Sequence, residues 1–410
     1  MVYNQSSNPS EKAVSHGFET SSFHSFFVYG RSLRAVIPGS VEAGPAWDTP
    51  TVIASSTNQI WGKPALDASG NAWVLLLDQF NNTLSVAGSN GTSGTWGSPQ
   101  FVTNIPSGAG AVAAALAVTP AGQVHVLYLL EGVQPNQLRD FVYTPGIGWQ
   151  GPSPIDSIPY AVADATVDSL GNVVAVLVSG QAIVYSAAAG TWGPAQQIIP
   201  QGLFSTSATL VRSPDHSKVL LAYLNNGGDQ TKGIYSQEYV SSTQTWQAPQ
   251  YVPNTQNAVN TAGNHYSLAV DNSGNGTLLT TLASAREARG CKALIVLDGY
   301  RYEGGKWNRG GWDQETVATA SGVESPITAA FFGFSGEAVV TYGQFLDQSN
   351  IGINSEIYAN GSWSIGAPIA WPGGQAYSSQ MAEAPTGEVL LVFSSSTGGG
   401  LLTEATWLRP

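Results

Sequence analysis

The sequence predicts an all-β fold, a seven-bladed β-propeller of four-stranded antiparallel blades closed by strands from both ends of the chain. Three observations predict it: a tryptophan motif occurs seven times, an apolar hairpin pattern recurs in step with it, and the composition favours short strands. The 410 residues include 47 Gly and 23 Pro, and only 10% are charged. Gly, Pro and polar turn formers separate short strands, and no stretch repeats apolar residues at helical spacing.

The tryptophan motif sets the period of the fold. Each copy is a Trp followed by small and polar residues and then an apolar pair, as in TWGSPQFV and TWQAPQYV. Successive copies lie 43 to 66 residues apart, which suits a four-stranded propeller blade. The repeated residues are Trp47, Trp96, Trp149, Trp192, Trp246, Trp312 and Trp363. We expect one Trp per blade to pack neighbouring blades together.

The hairpin pattern consists of two apolar strands joined by a turn, such as DASGN or DSLGN. The Gly supplies a positive φ and the Asp can accept hydrogen bonds from the turn backbone. One of the seven copies has His216 and Ser217 in place of the Gly. Because Trp47 precedes the first hairpin, its strand is expected to be the outer strand of the last blade. Residues 1–23 are expected to form an N-terminal arm, and residues 24–410 the single propeller domain.

Charge and composition exclude some functions. The formal net charge is −12 with only 15 Lys and Arg, so the basic surface that a nucleic-acid partner requires is missing. No apolar run reaches 18 residues, which argues against membrane insertion. Few lysines, many Ser, Thr, Asn and Gly, and five Asn-x-Ser/Thr sequons favour a secreted protein in an extracellular or periplasmic location.

Turns before the repeated tryptophans, such as GTSGTWG, AAAGTWG, VSSTQTWQ and ANGSWS, resemble the Asp-box turns of sialidase-like propellers. The Asp itself is absent from all four, and no sialidase arginine triad is found. The resemblance therefore implies a sialidase-like repeat and propeller fold, without a specific family and without sialidase activity.

The fifth blade carries the strongest candidate site. Arg286, Glu287 and Arg289 lie in SAREARGC, a predicted loop on the face where propeller sites form. His265 and Tyr266 begin the inner strand of the same blade. Arginines can neutralise a uronate carboxylate, and His or Tyr can transfer protons, as a polysaccharide lyase requires. The alternative is a surface ion-pair network beside a packed His–Tyr pair.

Other loop residues suit a hydrolase or a lectin. Asp229 and Asp347 lie in loops predicted on the same face, and a carboxylate pair is what glycoside hydrolysis needs. Aromatic side chains outside the repeat could stack on sugars, and Glu287 and Asp347 could bind their hydroxyls. These aromatic candidates are Trp61, Trp73, Trp307 and Trp371.

Metal and cofactor signals are weak. His125 and His216 are expected to be structural, and the His spacing matches no metal motif. DNSGNG, from Asp271, resembles half of a calcium loop, but Leu282 stands where the bidentate Glu belongs. We therefore expect hairpin chemistry there, no metal site and no cofactor, with calcium as the lesser alternative.

Three functions fit these patterns. The leading hypothesis is a secreted carbohydrate-binding propeller, lectin- or adhesin-like, whose partner is a glycan or polysaccharide. The alternative is a polysaccharide lyase or glycoside hydrolase that acts on an acidic polysaccharide at one asymmetric site near the fifth blade. A protein-interaction scaffold is the third, because the fold alone does not fix function.

Overall fold

The computed structural model describes residues 45–409 apart from internal gaps. The gaps are 57–59, 79–80, 92–93, 106–113, 131–136, 156–157, 201–207, 226–231, 254, 256–265, 272, 285–293, 304, 309–327, 333–336, 346–350, 360–361, 366–368, 370–374 and 398–399. The predicted N-terminal arm, residues 1–23, lies outside the described residues, so the domain boundary at residue 24 stays a prediction.

The described chain is an all-β propeller whose blades are antiparallel and four-stranded. In each blade the strands follow chain order from the inside outward. The first blade has β3 (Ile60–Leu66), β4 (Ala72–Asp78), β5 (Thr83–Ser89) and β6 (Gln100–Asn104). The second has β7 (Ala114–Val118), β8 (Val124–Leu130), β9 (Gln137–Thr144) and β10 (Gly148–Pro154).

In the next two blades the outer strand is interrupted, so it consists of two short pieces. The third blade has β11 (Val162–Val167), β12 (Val173–Leu177), β13 (Gln181–Ser186), β14 (Thr191–Trp192) and β15 (Gln196–Gln197). The fourth has β16 (Ala208–Arg212), β17 (Val219–Asn225), β18 (Gly233–Val240), β19 (Thr245–Trp246) and β20 (Gln250–Tyr251). The fifth has β21 (Tyr266–Val270), β22 (Gly276–Ser284), β23 (Leu294–Glu303) and β24 (Lys306–Asn308).

The remaining strands form one nine-stranded sheet. They are β25 (Thr328–Phe332), β26 (Glu337–Phe345), β27 (Ile351–Ala359), β28 (Ser362–Ile365), β29 (Gln375–Glu383), β30 (Val389–Thr397), β31 (Gly400–Arg409), β1 (Ala46–Trp47) and β2 (Thr51–Ser56). All its pairings are antiparallel except one bridge between Ile351 and Gln375, which joins β27 to β29. Five blades are separate sheets among the described residues. The number of sheets therefore does not confirm the predicted seven blades.

The two ends of the described chain pair with each other, as the position of the first Trp motif predicts. Trp47 lies opposite Leu408, and the backbone N–H of Asp48 donates to the Trp407 carbonyl at 2.8 Å. β2 continues along the same strand, β31. Arg409 adds ion pairs to Asp48 and to Glu388, each at 2.8 Å.

The hairpin turns have the predicted chemistry. The turn glycines have φ between 76° and 87° in five hairpins, at Gly70, Gly122, Gly171, Gly274 and Gly387. In the DxxGN turns one Asp oxygen accepts two backbone N–H groups and the other accepts the Asn side chain, as at Asp168 (2.9 Å for each bond). In the fourth blade His216 takes the glycine position with φ 62°.

The repeated tryptophans join the blades. Several of them lie on an outer strand opposite a Tyr of the same blade, for example Tyr239 and Trp246 at 5.2 Å between ring centroids. Several indole N–H groups donate to the preceding blade: Trp149 to Gln100, Trp192 to Asp140, Trp307 to Ser236 and Trp47 to Ser355. In the fifth blade Trp307 takes this position opposite Tyr302, whereas Trp312, the predicted member of the repeat, lies outside the described residues.

Candidate functional site

The inner strands border a cavity of about 430 Å³ on the axis of the propeller. Described residues of β3, β7, β11, β16, β21 and β29 line it. Its volume is within the range of small-molecule pockets. Alanines are common among the lining residues, at Ala65, Ala117, Ala165, Ala208 and Ala269.

Hydroxyl and amide groups make much of this wall polar. They belong to Thr166, Thr209, Tyr266, Ser267, Ser379 and Gln380. The side chain of Gln380 is exposed in an inner strand that borders the cavity. A primary amide can donate two hydrogen bonds and accept two, so it suits a ligand rich in hydroxyl groups.

Asp164 is a buried carboxylate in the cavity wall. Its Oδ1 accepts the backbone N–H of Ala165 at 2.8 Å, and its Oδ2 accepts that of Leu210 at 2.9 Å. The second bond connects the inner strands of the third and fourth blades. These two donors fix the carboxylate in place and set its negative charge beside the cavity.

Arg212 crosses the axis at the end of β16 that leads into the hairpin turn. Its guanidinium donates to the carbonyl of Leu66 on β3 and to the ring of His216. β16 neighbours β11 and β21 rather than β3, so this side chain spans the cavity. Burial lowers the pKa of Arg212 to about 10, although the charges of Asp67 and Glu383 raise it. Arg212 therefore remains a cation at neutral pH, and it obstructs the cavity on the hairpin-turn side.

His216 supports Arg212 as a neutral base. Burial is the main cause that lowers its pKa to about 3, and the charge of Arg212 adds to this effect. The His216 side chain is 3% exposed. A neutral imidazole has one lone pair in the ring plane, which can accept the hydrogen bond from Arg212.

Two predicted site residues lie on described inner strands. Tyr266 lines the cavity, and its hydroxyl donates to the Ala222 carbonyl at 3.1 Å. Burial raises the pKa of Tyr266 above its usual value, so the phenol stays protonated. Its role in proton transfer stays a prediction. Trp61 lies on β3 opposite Leu77.

The other predicted site residues lie outside the described residues, so their placement stays a prediction. They are His265, Arg286, Glu287, Arg289, Asp229, Asp347 and Trp371.

Two of the proposed sugar-stacking residues are packed in the protein. Trp307 is 7% exposed and donates to Ser236 in the neighbouring blade, so its interpretation as a sugar platform was wrong. Trp73 packs against Tyr143 at 5.5 Å between centroids. His125 is fully buried, with its Nδ1 3.0 Å from Asp140, and this fits the structural role expected for it.

The turn at Asp271 has hairpin chemistry. Oδ1 of Asp271 accepts the N–H groups of Ser273 and Asn275, both at 2.8 Å, and Oδ2 accepts the Asn275 amide at 3.1 Å. These are the bonds of the sister turns at Asp67 and Asp168. Within the part of the chain that the structure describes, no group of three or more His, Cys, Asp or Glu residues could hold a metal ion.

Sequence reasoning missed the polar residues that the inner strands bring together. Asp164, Arg212, Gln380 and Glu383 all line the cavity, but they come from three strands that lie far apart in sequence and share no motif. One signal was available for two of them: Asp164 and Arg212 are charged residues in short, largely apolar inner strands. Such a residue faces either a neighbouring blade or the axis.

No known protein family and no curated protein matches this sequence. Among solved structures, the chain is similar to the polysaccharide lyase Uly1, with a TM-score of 0.53 and 12% identity over 91% of this chain and 93% of that one. It is also similar to YCF48 bound to D1 peptide, with a TM-score of 0.51 and 12% identity over 90% and 99% of the two chains. The NanB sialidase from Streptococcus pneumoniae has a TM-score of 0.47 at 11% identity over 88% and 71%.

The likenesses to Uly1 and YCF48 agree with the β-propeller fold that the described strands form. Among the described residues no helix is long and apolar enough to cross a membrane.

Proposed function

We propose that this chain is a secreted carbohydrate-binding propeller that holds a glycan in its axial cavity. The observation that carries the proposal is the cavity wall, where hydroxyl groups and the exposed amide of Gln380 surround about 430 Å³. A sugar offers many hydroxyl groups that need partners once they leave water, and this wall supplies them. The similarity to a polysaccharide lyase over most of both chains supports a carbohydrate ligand.

The propeller is inferred to have seven blades. The nine-stranded sheet divides at its single parallel bridge into β25–β28 and a second unit of β29, β30 and β31 with β1 and β2. Each unit has four strand positions, as each separate blade has. The inner strands also contact one another in the order β3, β7, β11, β16, β21, β25 and β29, and the last contacts the first.

Binding is favoured over catalysis because Asp164 and Arg212, two charged groups of the wall, serve the fold. Both oxygens of Asp164 accept backbone N–H groups, and Arg212 is bonded to Leu66 and His216. A catalytic acid and base would each need access to substrate. Catalysis by the fifth-blade cluster stays the second candidate, since Tyr266 borders the cavity at the start of that blade's inner strand.

A glycan array with the full chain tests the proposal. We expect binding to a defined set of glycans, and about a 5- to 30-fold loss of affinity in Gln380→Ala, since one or two hydrogen bonds of about 1 kcal/mol each are removed. The matched control is Gln247→Ala, an exposed glutamine near the outer edge of the fourth blade, which should bind normally.

An empty array, or equal affinities for the two variants, would contradict binding in the cavity. Incubation with polysaccharides separates the enzyme alternative. A rise in absorbance at about 235 nm would indicate β-elimination, and new reducing ends without it would indicate hydrolysis.

A further inference from the structure

The charges around the axial cavity are unequal. Asp164 and Glu383 bring two carboxyl groups to its wall, and Arg212 brings one guanidinium. Asp67 also acts on Arg212, because its charge, like that of Glu383, raises the pKa of that guanidinium. The cation therefore has two acidic neighbours, while Asp164 adds a third acidic group along the same wall.

Arg212 is not available as an anion site. Its N–H groups already donate to the Leu66 carbonyl and to His216. A bound carboxylate would have to displace these partners and approach Asp67 and Glu383. Arginine recognises carboxylates through two parallel N–H bonds, and the existing bonds compete with that arrangement.

We infer that the axial cavity selects uncharged glycans and excludes acidic ones such as uronates and sialylated chains. This inference rests on the proposed function, and it names the ligand class of that same cavity. The formal net charge of −12 acts in the same direction, because a protein field of one sign repels ligands of that sign during approach.

The expected selectivity can be sized from electrostatics. Two like unit charges about 8 Å apart, at an effective dielectric of about 20, repel enough to weaken binding about 30-fold. Salt and solvent reduce this value, so we expect at least a tenfold preference for the neutral ligand.

Matched pairs of glycans test the inference on the wild-type chain. One pair is polygalacturonate and its fully methyl-esterified, uncharged form, and another is a galactose-terminated oligosaccharide with and without a terminal sialic acid. Affinities are measured by titration calorimetry at low salt. We expect the neutral member of each bound pair to bind at least tenfold more tightly. Equal affinity, or preference for the acidic member, would overturn the inference and leave glycan binding intact. Failure of both members in every pair would instead overturn the proposed function.

A charge variant tests the cause of the selectivity. Glu383→Gln removes one acidic neighbour of Arg212, so the preference for the neutral ligand should fall severalfold. Glu337→Gln makes the same change at the start of β26, outside the cavity wall, and should leave the preference unchanged. An unchanged preference in Glu383→Gln, in a variant with wild-type circular dichroism, would contradict the role given to this wall.

Discussion

Replacing Asp140 with Ala should destabilise the propeller strongly at the junction of its second and third blades. Asp140 is 2% exposed and lies on β9. Its Oδ2 is 3.0 Å from His125 Nδ1 and accepts the indole N–H of Trp192 at 3.1 Å. One side chain therefore holds a fully buried His of its own blade and the repeated Trp of the next.

The magnitude follows from those two bonds. Each hydrogen bond to a charged acceptor contributes about 1.5–3 kcal/mol, and removing one partner leaves buried polar groups without compensation. We expect Asp140→Ala to lower the free energy of unfolding by about 3–5 kcal/mol. With an unfolding entropy of about 2.1 cal/mol/K per residue, 4 kcal/mol lowers the Tm of a chain this long by about 5 °C.

Urea unfolding followed by tryptophan fluorescence and a thermal scan measure the effect. Ser236→Ala is the matched comparison, because Ser236 has the same position in the fourth blade and accepts the Trp307 N–H. It loses one neutral hydrogen bond, so about 1 kcal/mol is expected. If Asp140→Ala costs no more than Ser236→Ala, the reasoning about this buried acceptor is refuted.

Three further predictions concern stability. His216→Gly puts the glycine of the sister turns at the position where φ is 62°. The pKa of His216 in the folded protein is about 3, below its value in the unfolded chain, so the stability of the wild type falls as the pH drops below about 6.5. In urea titrations from pH 7 to pH 5, the free energy of unfolding of the variant should therefore rise by about 2 kcal/mol relative to that of the wild type. In other blades a Ser or Asp side chain accepts the indole N–H of the next blade's Trp, and Ala182 has that position next to Trp246, beside a cavity of about 60 Å³. Ala182→Ser would provide an acceptor for the indole N–H of Trp246, and it should raise the free energy of unfolding measured in urea by about 1 kcal/mol. Gly233→Ala should lower it by roughly 2 kcal/mol in the same assay, because φ is 144° and a Cβ would lie 2.6 Å from Tyr251.

Each of these predictions has a contrary outcome. The explanation for His216 fails if the stability difference is the same at pH 7 and pH 5. If Ala182→Ser is less stable than the wild type, the added hydroxyl does not form the expected hydrogen bond with Trp246. A Gly233→Ala variant as stable as wild type would show that Tyr251 moves aside at no cost.

Repetition made the fold predictable. The Trp motif and the hairpin turns each describe one unit, and several copies reinforce a pattern that any single copy leaves ambiguous. The pairing of Trp47 with the C-terminal strand followed from counting units. The partner tyrosines, such as Tyr239, were visible in the sequence but were not recognised, because their spacing to the Trp varies with the length of the turn.

The cavity was not predictable in the same way. Its wall takes one or a few residues from each of several blades, and the residues that matter, such as Arg212 and Gln380, break the repeat instead of following it. Sequence separation hides that Arg212 reaches Leu66, 146 residues away. Trp307 is the opposite case. It does not belong to the motif read from the sequence, yet in the fifth blade it has the outer-strand position that the repeated tryptophans have in other blades.

A crystal structure of the full chain with the tightest ligand from the glycan array tests the central claim most directly. The account predicts an uncharged sugar within the axial cavity, in hydrogen-bond contact with Gln380 and beside Tyr266, and on the opposite side of Arg212 from the hairpin turns. A sugar bound only at the outer edges of the blades, with the axial cavity occupied by water alone, would contradict it.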